Sequence, residues 1–268
     1  MCLTLQGKWV LSLISLYVLL LLVSPYIVPY DPYMVDSSVG LASLSSEHWL
    51  GTDQLGRDML SRILVGGRTS VGVAVLVVFL TAVTGTIIGV LASLSDSRLG
   101  QVLRRFIDMW LAFPDMIMVI ALVAVWGPSL ENVVLSLLLV KWAEYARIAS
   151  GLTLSIRHQE FIAFGYMSGA STWRIIIRYI TPNLLAPMMV VACQHIGEII
   201  LTVAGFSLIG IGAQPPTAEW GAILMSSQDY LQVAPWLLIY PGLAIFITVI
   251  LFNWAGDILR DSCDVKGW

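Results

Sequence analysis

The sequence predicts an all-α integral membrane protein that crosses the bilayer about six times. Three observations carry this expectation. Hydrophobic residues make up 58% of the 268-residue chain and charged residues only 12%, about half the roughly 25% charged content of soluble domains, so a water-soluble fold could not cover the apolar surface. The apolar residues gather into stretches near the ~20 residues that a helix needs to cross a ~30 Å hydrocarbon core. Lysine and arginine, finally, are divided unevenly between alternate connections.

Six stretches qualify as spans, over 9–28, 71–94, 109–126, 133–149, 185–206 and 236–255. The first follows Lys8 and has the outline of a signal peptide. It lacks a small-residue cleavage site and carries Pro25, so an uncleaved span is expected. The second holds Gly85 and Gly89, a small-xxx-small pair suited to close helix packing. The fourth is interrupted by Lys141 and Glu144, which are three residues apart and expected to neutralise each other in a structural role. No internal repeat is visible, and no loop has the composition of an interdomain linker.

With the N-terminus inside, the cytoplasmic segments hold Lys8, Arg98, Arg104, Arg105, Arg147, Arg157, Arg174, Arg178, Arg260 and Lys266. The opposite side holds only Arg57, Arg62 and Arg68 beside many acidic residues. Positive loops stay in the cytoplasm, so both termini are expected there. The net charge of −3 argues against a nucleic-acid partner, which a basic face would have to neutralise. Cys2, Cys193 and Cys263 are far apart and suggest neither a disulfide framework nor a zinc site.

The longest cytoplasmic connection, about 150–183, reads as two short helices. Glu160, Phe161, Phe164, Met167 and Ser168 recur at roughly helical spacing, Gly169 breaks the helix, and Pro182 is expected to stop the next. Its apolar side chains suit either a lipid surface or a groove on a partner protein. On the outer side, Gly51 and Gly56 permit turns, Thr52 or Asp53 can cap a short helix, and Asp58 with Arg62 has the spacing of an ion pair. That segment reads as an outer-face brace. The later outer loop, 210–221, is rich in turn formers. Trp220 and Trp236 are expected as headgroup-level anchors, and Glu219 as a group that could meet a delivering protein.

The stretch from Glu160-Phe161-Ile162-Ala163 through Gly169-Ala170-Ser171-Thr172-Trp173-Arg174 to Thr181-Pro182-Asn183 resembles the coupling loop of permease subunits in binding-protein-dependent ABC importers. It departs from the usual Glu-Ala-Ala start, carrying Ala163-Phe164-Gly165 in its place. His48-Trp49-Leu50-Gly51-Thr52-Asp53-Gln54-Leu55-Gly56-Arg57-Asp58, with Ser61-Arg62, resembles the dipeptide, oligopeptide and nickel branch of that family. The outer loop and the tail from Phe252-Asn253 to Asp261 extend the resemblance over nearly the whole chain.

The resemblance implies a type I ABC importer permease in a bacterial inner membrane, with residues 1–69 as first span and outer segment and 70–268 as a five-span core. It also implies a sister permease, two cytoplasmic ATPase subunits and an extracytoplasmic substrate-binding protein as partners. Contact with the ATPase would run through Glu160, Ala163, Phe164, Gly165, Gly169 and Pro182. The chain itself has no GxxxxGK[ST] phosphate loop, no HExxH and no paired nucleophile and base. No catalytic role and no cofactor are therefore expected, and ATP is hydrolysed by another chain. A secondary transporter or a channel is the alternative of another class, though the first usually rests on inverted repeats and the second needs no ATPase-docking loop.

For cargo, the fifth span offers His195 and Glu198 on one helical face, with Cys193 pointing largely elsewhere. Ionisable groups within a span point to a pathway by default, and imidazole with carboxylate suits a divalent metal or its chelate. A hydrogen bond between packed helices explains the pair equally well. The polar character there, with Val203-Ala204-Gly205-Phe206-Ser207, looks like the nickel-importing relatives. Nickel or a nickel chelate is thus expected ahead of di- or oligopeptides.

Overall fold

The computed structural model describes residues 5–94 and 97–264, all of it helix and connecting turns apart from one isolated bridge between Thr52 and Asp58. The expectations for Cys2, Cys263 and Lys266 lie outside the described side chains. In chain order the helices are α1 (Leu5–Ile27), α2 (Met59–Ser93), α3 (Arg98–Trp110), α4 (Asp115–Trp126), α5 (Leu130–Arg157), α6 (Glu160–Met167), α7 (Thr172–Ile175), α8 (Thr181–Leu208), α9 (Trp220–Ser227) and α10 (Trp236–Asp264). Four of these helical runs are long and apolar enough to cross a membrane, or five if the bent pair of α3 and α4 makes one span. Helix α5, at 28 residues, rises about 42 Å and has the length but carries Lys141, Glu144 and Arg147. Five of the six predicted stretches lie each within one helix but for a terminal residue, and the sixth, 109–126, is broken between α3 and α4.

The span expected over 109–126 is corrected at its start. Pro114 cannot continue a helix on its N-terminal side, and the chain turns by 80° between α3 and α4, so the apolar segment begins at Asp115. Helix α3 is a separate amphipathic element. It exposes Leu99, Val102, Phe106 and Met109 at spacings that bring them to one side.

Helices α2 and α5 form the centre of the molecule, joined more extensively than any other pair. Two glycines permit this approach. A Cβ at Gly85 would strike the backbone carbonyl of Trp142, and one at Gly89 the carbonyl of Ala146. The predicted small-residue pair therefore has a definite partner. Beyond it, the Ser93 and Ser150 hydroxyls meet at 2.6 Å and Arg157 donates to the Ser93 carbonyl at 3.1 Å.

Helix α8 packs on α10 and on α2, whereas α1 lies at the periphery against α2 and α10. Most of the large apolar side chains of α1 are exposed, as expected where lipid is the solvent. Its polar tie is Tyr17 with Thr248, hydroxyl to hydroxyl at 2.6 Å.

Candidate functional site

Three elements deliver charge to one place in the middle of the helical core. Helix α5 brings Lys141 and Glu144, α8 brings His195 and Glu198, and the first residue of α4 is Asp115. The ammonium of Lys141 lies 2.5 Å from Glu198 Oε1, 2.7 Å from Asp115 Oδ2 and 3.7 Å from Glu144 Oε2. His195 Nε2 is 3.6 Å from Glu144 Oε1 and 3.9 Å from Glu198 Oε2. The expected pair of Lys141 with Glu144 is present, but Glu144 is the farthest of three carboxylates around the ammonium, because two other helices carry acids closer to it.

The Lys141 side chain is 9% exposed, whereas those of Asp115, Glu144 and Glu198 are 39–44% exposed. The difference has a simple origin. A cavity of about 580 Å³ opens against the carboxylates, with Trp110, Phe113 and Pro114 on its apolar wall. Asp115 starts a helix, where a negative side chain is favoured by the exposed amides, and it accepts from the Met116 N–H at 2.8 Å. Among the described residues, no group of three or more His, Cys, Asp and Glu side chains is arranged to hold a metal ion. His195 also meets the Tyr145 ring edge-on, 5.0 Å between centroids. Cys193 lies apart from the ion pairs, half-buried between α8 and the α1–α10 cluster.

The connection expected in the cytoplasm folds as a helical hairpin. Helix α5 runs on to Arg157, so the true connection is shorter than 150–183. Glu160 opens α6, and with Ala163 and Phe164 it is exposed; Phe164 is 62%, Met167 73% and Trp173 67% exposed. Gly165 faces inward, where a Cβ would lie 2.7 Å from Ile175 Cδ1. Gly169 ends α6 with φ +79°, a conformation open to glycine and unfavourable for residues with a Cβ.

Pro182 does not stop the following helix, contrary to expectation. It sits in the first turn of α8, and the helical run is continuous from Thr172 to Leu208. A π-helical turn over Ile176–Ile180 explains this tolerance, because it shifts the bonding pattern ahead of the proline, whose own N–H is missing. The Asn183 side chain then donates to the Tyr179 carbonyl at 2.6 Å.

The segment expected on the outer face is a brace, built differently from the expected pairing. Asp58 caps α2 by accepting from the Ser61 N–H at 2.8 Å and hydroxyl at 2.7 Å, and it meets His48 Nδ1 at 2.9 Å. Arg62 pairs instead with Asp53, 3.4 Å away, and donates to the Pro32 carbonyl at 3.0 Å. Asp53 also holds Arg57 at 2.6 Å. Asp58 is unavailable to Arg62 because a helix cap turns its carboxylate toward the first amides. Gly51 and Gly56 have φ of +75° and +74°, as expected of turn glycines. Farther out, Asp36 is held below the usual carboxylate range by hydrogen bonds from the Ser38 hydroxyl and N–H.

Trp220 and Glu219 are corrections too. Trp220 is 1% exposed, its indole N–H donating to the Ile63 carbonyl at 2.9 Å. Glu219 is fully buried, accepts from the Gly221 and Ala222 amides, and receives the Ser70 hydroxyl at 2.9 Å. A loop composed of turn formers gave no sign that it folds back onto α2. The signal was the Glu219-Trp220 pair itself, a capping acid followed by a large ring at the start of a helix.

The family described as "Binding-protein-dependent transport system inner membrane component" matches residues 85–264. The chain is 38% identical over 264 residues to the nickel transport system permease protein NikC of Escherichia coli strain K12, covering 97% of this chain and 95% of that protein. It is 36% identical over 254 residues to the probable D,D-dipeptide transport system permease protein DdpC of the same strain, covering 95% and 85%. With the glutathione transport system permease protein GsiD of Pectobacterium atrosepticum it shares 38% over 257 residues, covering 94% and 85%. The MetNI methionine ABC transporter in inward facing conformations superposes with a TM-score of 0.62 at 18% identity, over 76% of this chain and 97% of that one. Helical architecture and sequence thus agree: the chain belongs to the binding-protein-dependent ABC permeases, as a multi-pass inner-membrane subunit whose ATPase is a separate chain.

Proposed function

We propose that this permease forms the translocation path for nickel or a metal chelate. The observation that carries the reading is the convergence of Glu198, Glu144 and Asp115 on a cavity between the helices, with His195 beside Glu144 and Glu198 but off the cavity wall, a set of ionisable groups that would be unfavourable against lipid. An imidazole beside carboxylates offers ligands for a borderline divalent metal, and carboxylates already engaged by Lys141 hold a cation loosely. Loose contact suits a path, which must release what it binds. Similarity to NikC supports the same cargo.

Di- or oligopeptides are the second reading, favoured by comparable similarity to the D,D-dipeptide and glutathione permeases. Uptake of radioactive nickel and of a labelled dipeptide by the reconstituted transporter separates the two. Changing His195→Ala with Glu198→Gln should lower nickel uptake while basal ATP hydrolysis and assembly persist. Unchanged nickel uptake with diminished peptide uptake replaces the first reading by the second.

Energy coupling follows from the hairpin of α6 and α7. Glu160, Ala163 and Phe164, extended by Met167 and Trp173, form a face that seats on a cytoplasmic ATPase, one of two in the assembly. Gly165 keeps α6 close to Ile175, Gly169 sets the turn, and Pro182 lies where the hairpin enters the membrane span. A sister permease completes the path as a heterodimer, and the braced outer face receives a substrate-binding protein. In this arrangement 1–69 is a peripheral first span with the brace, 70–268 is the core, and both termini lie in the cytoplasm.

A further inference from the structure

We infer that α3 lies along the cytoplasmic surface of the membrane as a lipid-binding helix, its apolar flank among the acyl chains and Arg98 with Arg105 on the headgroup phosphate of an anionic phospholipid. The inference concerns lipid and is independent of the cargo.

Depth and tilt follow from the ties of α3 to its neighbours. Asp108 pairs with Arg147 of α5 at 2.9 Å, and Arg104 donates to the Ala92 carbonyl near the end of α2. Leu130 opens α5, and at about 1.5 Å per residue Arg147 lies roughly 25 Å farther along, close to the ~30 Å thickness of the hydrocarbon core. The turn at 127–129 and α3 are therefore at opposite faces of the bilayer. The chain bends by 80° between α3 and α4, so while α4 runs across the membrane α3 runs along its surface.

Around its axis α3 divides into three flanks, as a helix does where protein, hydrocarbon and water meet. Ile107 is buried against Ala92 of α2 and Ala146 of α5, with Leu103 half-buried beside it. Leu99, Val102, Phe106 and Met109 make the next flank and are exposed. Gln101 and Asp108 stand on the third. The rotation is fixed from two sides, by the bond from Arg104 and by the Phe106 ring stacked on Trp142 at 6.3 Å, so the apolar row is held outward.

Charge selects the occupant. Arg98 and Arg105 stand at the seam between the apolar and polar flanks, both exposed, and neither meets an acid among the described residues. The neighbouring basic groups are already engaged: Arg104 by Ala92, Arg147 by Asp108 and Arg157 by the Ser93 carbonyl. An arginine at such a seam lays its methylenes along apolar surface and lifts its planar fork to the level of phosphate oxygens, which it binds in pairs. A phospholipid offers acyl chain and phosphate in that order across the seam. A protein seated on the apolar row would draw nothing from the two guanidinium groups beside it. Anionic headgroups are preferred over zwitterionic ones because they carry no cation of their own to compete with the arginines.

The test uses the complete transporter in vesicles of mixed phosphatidylcholine and phosphatidylglycerol. A spin label at Leu99→Cys or Val102→Cys, in a chain whose native cysteines are replaced by serine, should collide more with oxygen, which gathers in hydrocarbon, than with water-soluble chromium oxalate. Native mass spectrometry of the solubilised transporter then counts the two lipids retained. Arg98→Gln with Arg105→Gln should lower the preference for phosphatidylglycerol by about ten-fold or more, given about five-fold for each arginine at the surface. Arg98→Lys with Arg105→Lys should keep most of it, since both charges remain. Frequent collision with chromium oxalate overturns the interfacial placement. A label shielded from both reagents overturns it too, because the row is then covered by protein such as the sister permease. An unchanged lipid preference in the glutamine variant overturns the headgroup contact, and the labelling arm, which leaves both arginines in place, stands as a separate check.

Discussion

Lys141 Nζ lies 2.5 Å from Glu198 Oε1, joining α5 to α8 across 57 residues of sequence. The ammonium is nearly buried while the carboxylate opens to the cavity, so one partner is desolvated and the other only partly. A double-mutant cycle of Lys141→Met with Glu198→Gln should give a coupling of about 1 kcal/mol in thermal stability, above most exposed pairs and below a dry interior pair. A coupling near zero would show that the two groups do not hold the helices together.

The α2–α5 crossing depends on absent side chains. Gly85→Leu should destabilise the detergent-solubilised subunit by about 3 kcal/mol or prevent its accumulation, because the clash is with the Trp142 backbone. Gly72, on the same helix with nothing near its Cβ position, provides the control: Gly72→Leu should change the melting temperature little.

At Gly169 the constraint is conformational rather than spatial, since φ is +79° but no atom lies within 4 Å of a built Cβ. Gly169→Val should impair ATPase association and transport, with the local cost of a left-handed backbone about 1–2 kcal/mol, while membrane insertion persists. Gly169→Asn should retain most activity, because asparagine tolerates that region. Equal loss in both variants would point to the missing side chain, and not to the backbone, as the determinant.

Asp53 binds two arginines and the amides of Leu55 and Arg57. Asp53→Ala leaves two buried guanidinium groups without that carboxylate, a loss on the order of 3 kcal/mol. Limited proteolysis should then cut within 28–58 in the variant at protease levels that spare the wild type, with the helices beyond Met59 protected. Uniform sensitivity of the whole chain would mean that the brace supports more than its own segment.

Charge asymmetry predicts the topology. Reporter fusions after Arg105, Arg157 and Arg260 should signal cytoplasm, and fusions at Leu55 and Gln214 the outside. An outside signal at Arg157 would separate the α6–α7 hairpin from any ATPase.

By itself the sequence determined the solvent, the helical class, the approximate spans, the small-residue pair and the turn at Gly169. Each of these is set by local physics: a run of apolar side chains requires lipid, and a positive φ favours glycine whatever surrounds it. It also located His195 and Glu198 on one face, because i,i+3 spacing is a property of the helix alone. Which acid pairs with which base was decided only in three dimensions. Spacing proposed Lys141 with Glu144 and Asp58 with Arg62, yet Glu198 and Asp115 lie closer to Lys141, and Asp53 holds Arg62. Asp115 was overlooked because its place beside Lys141 depends on the 80° turn between α3 and α4. Burial of Glu219 and Trp220 likewise needed the outer loop to fold onto α2. Local rules fix the period and ends of a helix, whereas a long-range ion pair depends on the rotation and translation of helices against one another, and those follow from packing over the whole core.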